Sequence, residues 1–222
     1  ERYAAAVPPG FLFTVKAPNS ITLTHAYRSG SGVLPQANPH FLSPALYRDF
    51  LARLEPRGDK LGLVMLQFEY LNRKKMASRA EFLEKLAVFL DERPEWPSLA
   101  IECRNANYLD EEYFRFLRER KVLHVFCQGY YLPPAWEIER RCNGLLADTA
   151  VIRLMGPDRK EIEARSRERW DRVVEPRDGE LAEVAAMAGR LRKRLKRVYV
   201  NINNHFEGSA PLTAEKLRGL LA

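Results

Sequence analysis

A set of polar side chains lies in or directly after short apolar segments of this sequence. The members are Lys16, Gln67, Glu102, Arg104, Arg153, Asn203 and Asn204. A polar side chain in an apolar segment costs free energy unless it is paired or used. Three of them are cations that could hold an anion, and Glu102 is a carboxylate that could act as a general acid or base. We therefore interpret the set as a candidate anion pocket, with the amides of Gln67 and the two asparagines as orienting groups.

The alternative is a structural role for the charged members of this set. Glu102, Arg104 and Arg153 could form a buried ion-pair network that binds no ligand, because such networks also occur as purely structural features. The sequence alone does not distinguish the two.

Histidines offer the second kind of chemistry. His25 follows the first apolar segment and His205 follows the last, and imidazole titrates near neutral pH, so each is a candidate for proton transfer. We take His25, with Glu102, as the candidate catalytic pair; a loop histidine is also common as a structural hydrogen-bonding residue. No H-x-H or H-E-x-x-H motif is present, so we predict no metal site and can name no cofactor. Trp170 is interpreted as a packing residue.

Six apolar segments rich in β-branched or aromatic residues position these groups. They are Phe11–Lys16, Leu63–Phe68, Leu99–Cys103, Val122–Cys127, Val151–Met155 and Val198–Ile202. Amphipathic helical patterns lie between them, among them Ser43–Leu54, Ser78–Leu90, Asp110–Arg120 and Glu180–Leu195, and a further helix, Thr213–Leu221, is predicted after the last segment. Strands that alternate with helices pair in parallel through right-handed crossovers.

Two architectures fit this alternation, a closed barrel and an open doubly wound sheet. The sequence contains no G-x-G-x-x-G turn, which disfavours the open dinucleotide-binding sheet. We predict an α/β fold of the TIM-type (β/α) barrel class, with parallel strands and outer helices, as a single domain over residues 1–222. A barrel needs eight strands and six are visible, so we expect two βα units upstream. Sites in such barrels lie at the C-terminal ends of the strands, where the polar set falls.

The charge balance is basic, with a net charge of +7 and a sequence pI near 9.4. Much of the excess lies in Arg165–Arg172 and Arg190–Arg197. We interpret both as solvated helix faces; the alternative is a surface for nucleic acid or phosphate.

The cysteines and the apolar segments indicate the compartment. Three cysteines without C-x-x-C spacing argue against a disulfide framework, and no apolar run reaches the ~20 residues of a membrane-spanning helix. We expect a cytoplasmic protein that does not enter a membrane.

Together these motifs resemble one family, the domain of unknown function 72 family. The resemblance is carried by the ordered segments Phe13–Pro18 with His25, Gly62–Phe68, Glu102–Arg104, Arg153–Gly156 and Asn203–Pro211. It implies a TIM-barrel-like fold with no established reaction, and it implies recurrent polar positions at Lys16, His25, Gln67, Glu102, Arg104, Arg153, Asn203 and Asn204.

The chain departs from that family pattern at several positions. Met155 stands where the family carries a histidine, and Glu69 stands where proline is common. These departures indicate a subgroup with altered chemistry or a weakened site. Our leading hypothesis is an enzyme that acts on an anionic or phosphate-bearing small molecule or nucleotide; the alternative is a non-catalytic nucleic-acid-binding protein that uses the basic helices.

Overall fold

The computed structural model describes residues 2–26, 36–129, 131–156, 158–167 and 169–222. The chain forms two compact units, Glu1–Tyr108 and Leu109–Ala222. In each unit three parallel strands follow one another in sequence order and alternate with helices. The six parallel strands confirm the predicted α/β class and the strand–helix alternation of a TIM-type barrel. A single domain over the whole chain stays a prediction.

The first unit is built on strands β1 (Phe13–Lys16), β2 (Leu61–Gln67) and β3 (Leu99–Glu102). Its helices are α1 (Arg2–Ala5), α2 (Asn19–Thr22), α3 (Pro44–Ala52) and α4 (Arg79–Glu92), with 3₁₀ turns at Glu55–Lys60 and Ala106–Tyr108. The register places Lys16 beside Met65 and Gln67 beside Glu102. The polar residues that end these strands therefore lie at the same, C-terminal end of the parallel strands.

The apolar pattern of this unit explains its elements. Residues Leu63 to Leu66 in β2 are all buried, as expected of a strand that is covered on both faces. Ser43 and Ser78 begin α3 and α4 as N-caps, because their hydroxyls accept hydrogen bonds from the backbone N–H groups of Leu46 and Glu81 at 3.2 and 3.1 Å. Both predicted helices are confirmed.

The second unit is built on strands β4 (Leu123–Gly129), β5 (Thr149–Gly156) and β6 (Arg197–Ile202). Its helices are α5 (Glu111–Glu119), α6 (Ala135–Cys142), α7 (Arg159–Ser166), α8 (Asp178–Arg192) and α9 (Ala210–Leu221), with a 3₁₀ turn at Asn143–Leu145. The register places Arg153 between Cys127 and Asn201.

Two helices of this unit, α6 and α7, are absent from the sequence-based prediction. Helix α7 buries Ile162 as its single large apolar residue, so hydrophobic periodicity does not mark it. A capping signal does, because the Asp158 carboxylate accepts from the backbone N–H groups of Lys160 and Glu161 at 2.8 and 3.2 Å.

The interpretation of the two basic stretches as solvated helix faces holds only where each stretch overlaps the C-terminal end of a helix. Helix α7 ends at Ser166, and Arg167 closes it in the left-handed conformation with a φ of 52°. Helix α8 ends at Arg192, and Arg197 already begins β6. Each stretch therefore crosses from a helix into a loop, so its charges do not share one helical face.

Among the described residues, no helix is both long and apolar enough to cross a membrane.

Candidate functional site

In the first unit, the predicted site residues lie at the C-terminal ends of β1, β2 and β3. Lys16 is exposed, and its ammonium group donates to the Asn19 side-chain oxygen at 2.7 Å. Gln67 ends β2 half-buried beside Glu102, which ends β3. These strand ends thus present a cation, an amide and a carboxylate side by side in chain order.

Glu102 and Arg104 form an ion pair at the end of β3. The carboxylate of Glu102 is fully buried, and its Oε1 accepts from both Nε and Nη2 of Arg104 at 3.0 Å. The Arg104 side chain keeps 20 % of its surface exposed. A buried carboxylate needs such a compensating charge, and the pairing fixes the orientation of the guanidinium at the strand end.

His25 belongs to a different hydrogen-bonded chain in the same unit. Its Nδ1 lies 2.9 Å from Thr24 Oγ1, and that hydroxyl donates to Glu69 Oε1 at 3.2 Å. The other oxygen of Glu69 is bound by the ammonium group of Lys75. Glu69 lies two residues after the end of β2, so the C-terminal end of a strand positions the carboxylate that anchors these contacts.

Donor counting fixes the tautomer of His25. The Thr24 hydroxyl has one hydrogen, and it gives that hydrogen to the Glu69 carboxylate, which only accepts. The same hydroxyl oxygen must therefore accept from His25, which places the imidazole hydrogen on Nδ1. The neutral ring then carries its lone pair on Nε2, the nitrogen that can take up a proton.

The backbone around His25 is also held. His25 pairs with Ala37 in an isolated antiparallel bridge, and Asn38 N donates to Thr24 O at 2.9 Å. The Asn38 side-chain amide donates to the backbone oxygens of Ser20 and Leu23 at 2.8 and 2.7 Å. These contacts position the histidine on a short, braced segment after α2.

In the second unit, Arg153 lies within β5, and Asn203 and Asn204 directly follow β6. The side-chain oxygens of both asparagines are bonded to the backbone. Asn203 Oδ1 accepts from His205 N at 3.0 Å, and Asn204 Oδ1 accepts from Ala210 N at 2.8 Å. Each amide therefore keeps its NH₂ group as the part that can donate to a ligand.

A cleft of about 360 Å³ opens beside these asparagines within the second unit. Its lining consists of Arg159, Glu163, Trp170, Asn203, Asn204 and His205. His205 Nε2 lies 3.2 Å from Glu163 Oε1, and Arg159 Nε donates to the same oxygen at 2.7 Å. The hydrogen bond from Arg159, followed by that from His205, lowers the pKa of the Glu163 carboxyl.

Trp170 contributes to this cleft as well as to packing. Its ring meets that of His205 edge to face, with 5.2 Å between the centroids. The sequence-based interpretation of Trp170 as a packing residue therefore misses its place in the cleft wall.

Pro157, which stands between β5 and α7 in the sequence, lies outside the described residues.

Several cations of the basic stretches form ion pairs with carboxylates. Arg165 Nη1 donates to Glu175 at 2.5 Å, Arg190 Nη2 to the buried Glu139 at 2.7 Å, and Lys196 Nζ lies 3.0 Å from an oxygen of Asp148. Cations bound in this way offer less charge to a nucleic-acid phosphate than a free basic face would.

Other ionisable groups are buried too deeply to serve a site. Burial raises the pKa of the Cys103 and Cys142 thiols to about 12, which removes them as nucleophiles near neutral pH. Burial lowers the pKa of His124 to about 3, and its Nδ1 lies 3.2 Å from the Tyr113 hydroxyl. In the part of the chain that the structure describes, no group of three His, Cys, Asp or Glu side chains could hold a metal ion.

Sequence reasoning missed several residues that act through neighbours. Thr24 and Lys75 hold Glu69 and His25. Thr24 is marked in the sequence only as the residue before His25, and Lys75 belongs to no motif. Glu163 could have been found from its i,i+4 spacing to Arg159, a common helical ion pair, once the Asp158 cap had marked the helix.

Comparison with solved structures places this fold among known ones. The chain is similar to a DUF72 family protein from Thermotoga maritima, with 24 % identity, a TM-score of 0.68, and coverage of 99 % of this chain and 77 % of the other. It is also similar to a DUF72 family protein from Enterococcus faecalis, with 16 % identity, a TM-score of 0.70, and coverage of 99 % and 78 %. No curated protein matches significantly.

The family comparison covers the full length of the sequence. The family model described as "Protein of unknown function DUF72" matches residues 1–222. The chain therefore belongs to the DUF72 family.

Proposed function

We propose that this protein is an enzyme that acts on an anionic or phosphate-bearing small molecule or nucleotide at the C-terminal ends of its strands. The observation that carries the proposal is the chain of contacts from Lys75 through Glu69 and Thr24 to His25. It resembles the way enzymes hold a catalytic imidazole, since a carboxylate, here acting through the Thr24 hydroxyl, fixes one ring nitrogen and leaves the other basic.

The remaining predicted residues take binding roles in this proposal. Lys16 and Arg104 supply positive charge at the ends of β1 and β3, and Gln67 supplies an amide between them in strand order. Glu102 is buried and bonded to Arg104. We therefore assign it the main role of orienting that guanidinium, with proton transfer as its second role. In the second unit, Arg153 is the proposed anion-binding residue, and Asn203 and Asn204 are proposed to donate hydrogen bonds to an uncharged group. We place the protein in the cytoplasm.

A thermal-denaturation screen tests this function. The protein is heated with phosphorylated metabolites, nucleotides and short oligonucleotides in turn. A small ligand at about 100 times its dissociation constant stabilises the fold by about 2.7 kcal/mol, a shift of a few degrees. We expect a discrete small-molecule hit that Arg104→Ala abolishes and Arg115→Ala preserves, because Arg115 is an exposed residue of α5 paired with Glu111.

The alternative function, nucleic-acid binding, gives a different result in the same screen. Stabilisation by oligonucleotides alone, fading as salt is added and insensitive to Arg104→Ala, would contradict the enzyme proposal and support a polyanion-binding protein.

A further inference from the structure

The cleft of the second unit has a polar lining without net charge when His205 is neutral. The positive charge of Arg159 is bonded to the negative charge of Glu163, and the other polar groups are two amides and one imidazole. A phosphate or carboxylate ligand would meet the Glu163 carboxylate here, which repels anions. The lining favours a neutral polar ligand.

The cleft contains both hydrogen-bond donors and hydrogen-bond acceptors. Glu163 only accepts, so the contact with His205 places a hydrogen on Nε2, and in the neutral ring Nδ1 is an acceptor. Among the described residues, Nδ1 of His205 and the NH₂ group of Asn204 have no hydrogen-bond partner. Asn203 directs its NH₂ group only to the weak acceptor Met155 Sδ at 4.0 Å.

A hydroxyl group matches this arrangement because it donates one hydrogen bond and accepts others. It can donate to His205 Nδ1 and accept from an asparagine NH₂ group at once. The Trp170 ring adds an apolar surface on which the C–H face of a sugar-sized ring can pack. The volume of about 360 Å³ lies within the usual range of small-ligand sites.

We propose that this cleft is a binding site for a neutral, hydroxyl-bearing ring of the sugar class, with His205 Nδ1 as its acceptor and the amides of Asn203 and Asn204 as its donors. Trp170 forms the apolar wall, and Glu163 is a positioning residue that sets the His205 tautomer. The inference goes beyond the proposed function, because it concerns a neutral ligand and does not depend on His25, Glu69 or Arg104.

The test is a nuclear magnetic resonance titration of the whole chain with labelled histidine and tryptophan. D-ribose, D-glucose and inorganic phosphate are added separately, and the signals of the His205 imidazole and the Trp170 indole are followed. We expect saturable shifts with at least one sugar and none with phosphate. These signals report on the cleft itself, so the result stands whether or not the chain has the proposed enzymatic activity.

Variants of the cleft sharpen the test. We expect His205→Ala and Trp170→Ala each to weaken sugar binding by about tenfold, the effect of losing one good contact. The matched controls are Glu161→Gln, on α7 outside the cleft lining, and Trp136→Phe on α6, which should leave binding unchanged.

Three results would overturn the inference. They are shifts with phosphate but not with sugars, no saturable shift with any probe, and sugar binding that survives both cleft variants. A folded state of each variant, checked by its indole and amide spectrum, keeps a loss of binding interpretable.

Discussion

The role that an ionisable side chain can take in this protein depends on its burial and on the hydrogen-bond partners of its polar atoms. His25 is half-buried and bonded at Nδ1, which leaves the other nitrogen basic. His124 is buried among aromatic rings and is held neutral, with a pKa of about 3. The two histidines have the same chemistry in solution, and only their surroundings separate a candidate base from a core residue.

The buried His124 predicts an acid-induced loss of stability. Its pKa lies near 6.5 in the unfolded chain and near 3 in the folded protein, because burial disfavours the charged ring. The unfolded state binds the proton more tightly, so this stabilisation is complete above about pH 6.5 and is lost as the pH falls towards 3. We expect a slope of about 1.4 kcal/mol per pH unit in that window.

Denaturant unfolding of the wild type and of His124→Phe across this pH range measures the effect. The slope of the variant should be smaller than that of the wild type by about 1.4 kcal/mol per pH unit, whereas His40→Gln, at an exposed position, should keep the wild-type slope. Equal slopes in the wild type and His124→Phe would contradict the assignment.

The ion pair at the end of β3 predicts a second residue-scale effect. Arg104→Ala removes the bonded charge from the fully buried Glu102 carboxylate, which should cost on the order of 3 kcal/mol of unfolding free energy. Arg115→Ala removes an exposed i,i+4 pair and should cost less than about 1 kcal/mol. Urea denaturation gives both values, and a cost for Arg104→Ala no larger than that for Arg115→Ala would show that the pair is not structurally important.

The residue types of the candidate site and their positions at the ends of strands could be predicted from the sequence, but their hydrogen-bond partners could not. Glu102 and Arg104 share a strand face by alternation, and the structure joins them. The Thr24–Glu69 contact spans 45 positions of the chain, and the His205–Glu163 contact spans 42. No local pattern encodes such distant pairs, because they depend on how crossover connections return each strand to its neighbour.

At the scale of the elements, capping decides where helices begin. Ser78→Ala removes the hydroxyl that accepts from Glu81 N at the start of α4 and should cost about 1 kcal/mol. Ser98→Ala, at an exposed position just before β3, is the control and should change stability little. Chemical denaturation of both variants measures the difference. Equal stabilities of the two variants would contradict a stabilising role of Ser78 at the start of α4.

The glycine at the end of β5 is required by the backbone conformation and by the close approach of another segment. Gly156 has a φ of +77°, and an added Cβ would lie 2.1 Å from the backbone oxygen of His205. Gly156→Ala should therefore cost on the order of 3 kcal/mol, through backbone strain and displacement of the residues after β6. Gly179→Ala, in α8 with open space around the position, should instead be neutral or stabilise by up to about 1 kcal/mol.

Thermal unfolding of the two glycine variants provides the measurement. A melting temperature for Gly156→Ala equal to that of Gly179→Ala would contradict the close approach of β5 to the His205 backbone.

Element positions follow closely from the sequence where apolar periodicity is strong. All six strands and helices α3, α4, α5, α8 and α9 are predicted to within a few residues, since each buries a clear apolar face. Helix α7 is missed because it buries Ile162 as its single large apolar residue and is marked by the Asp158 cap. Helix α6 is missed because it is only eight residues long, although Ala135, Ile138 and Cys142 are buried. The basic stretches begin in the last turns of α7 and α8 and continue beyond them, because a charge run carries no signal for where a helix ends.

At the scale of the whole molecule, the fold class is the most predictable property. Parallel strands alternating with helices leave few architectures, and membership of the DUF72 family agrees with the barrel prediction. The function is less predictable, since this fold class supports many chemistries and the choice among them depends on side chains at the strand ends. The proposal of an enzyme therefore depends on the contacts of His25 more than on the architecture.

The most direct test of that proposal is the tautomer of the neutral His25 ring, measured by nitrogen-15 nuclear magnetic resonance. We expect the ring to carry its hydrogen on Nδ1, and we expect Glu69→Gln to move part of that hydrogen to Nε2, because the Thr24 hydroxyl then no longer has to donate to a carboxylate. A neutral ring protonated on Nε2, or a tautomer unchanged by Glu69→Gln, would contradict the account that Glu69 and Thr24 hold His25 as a base.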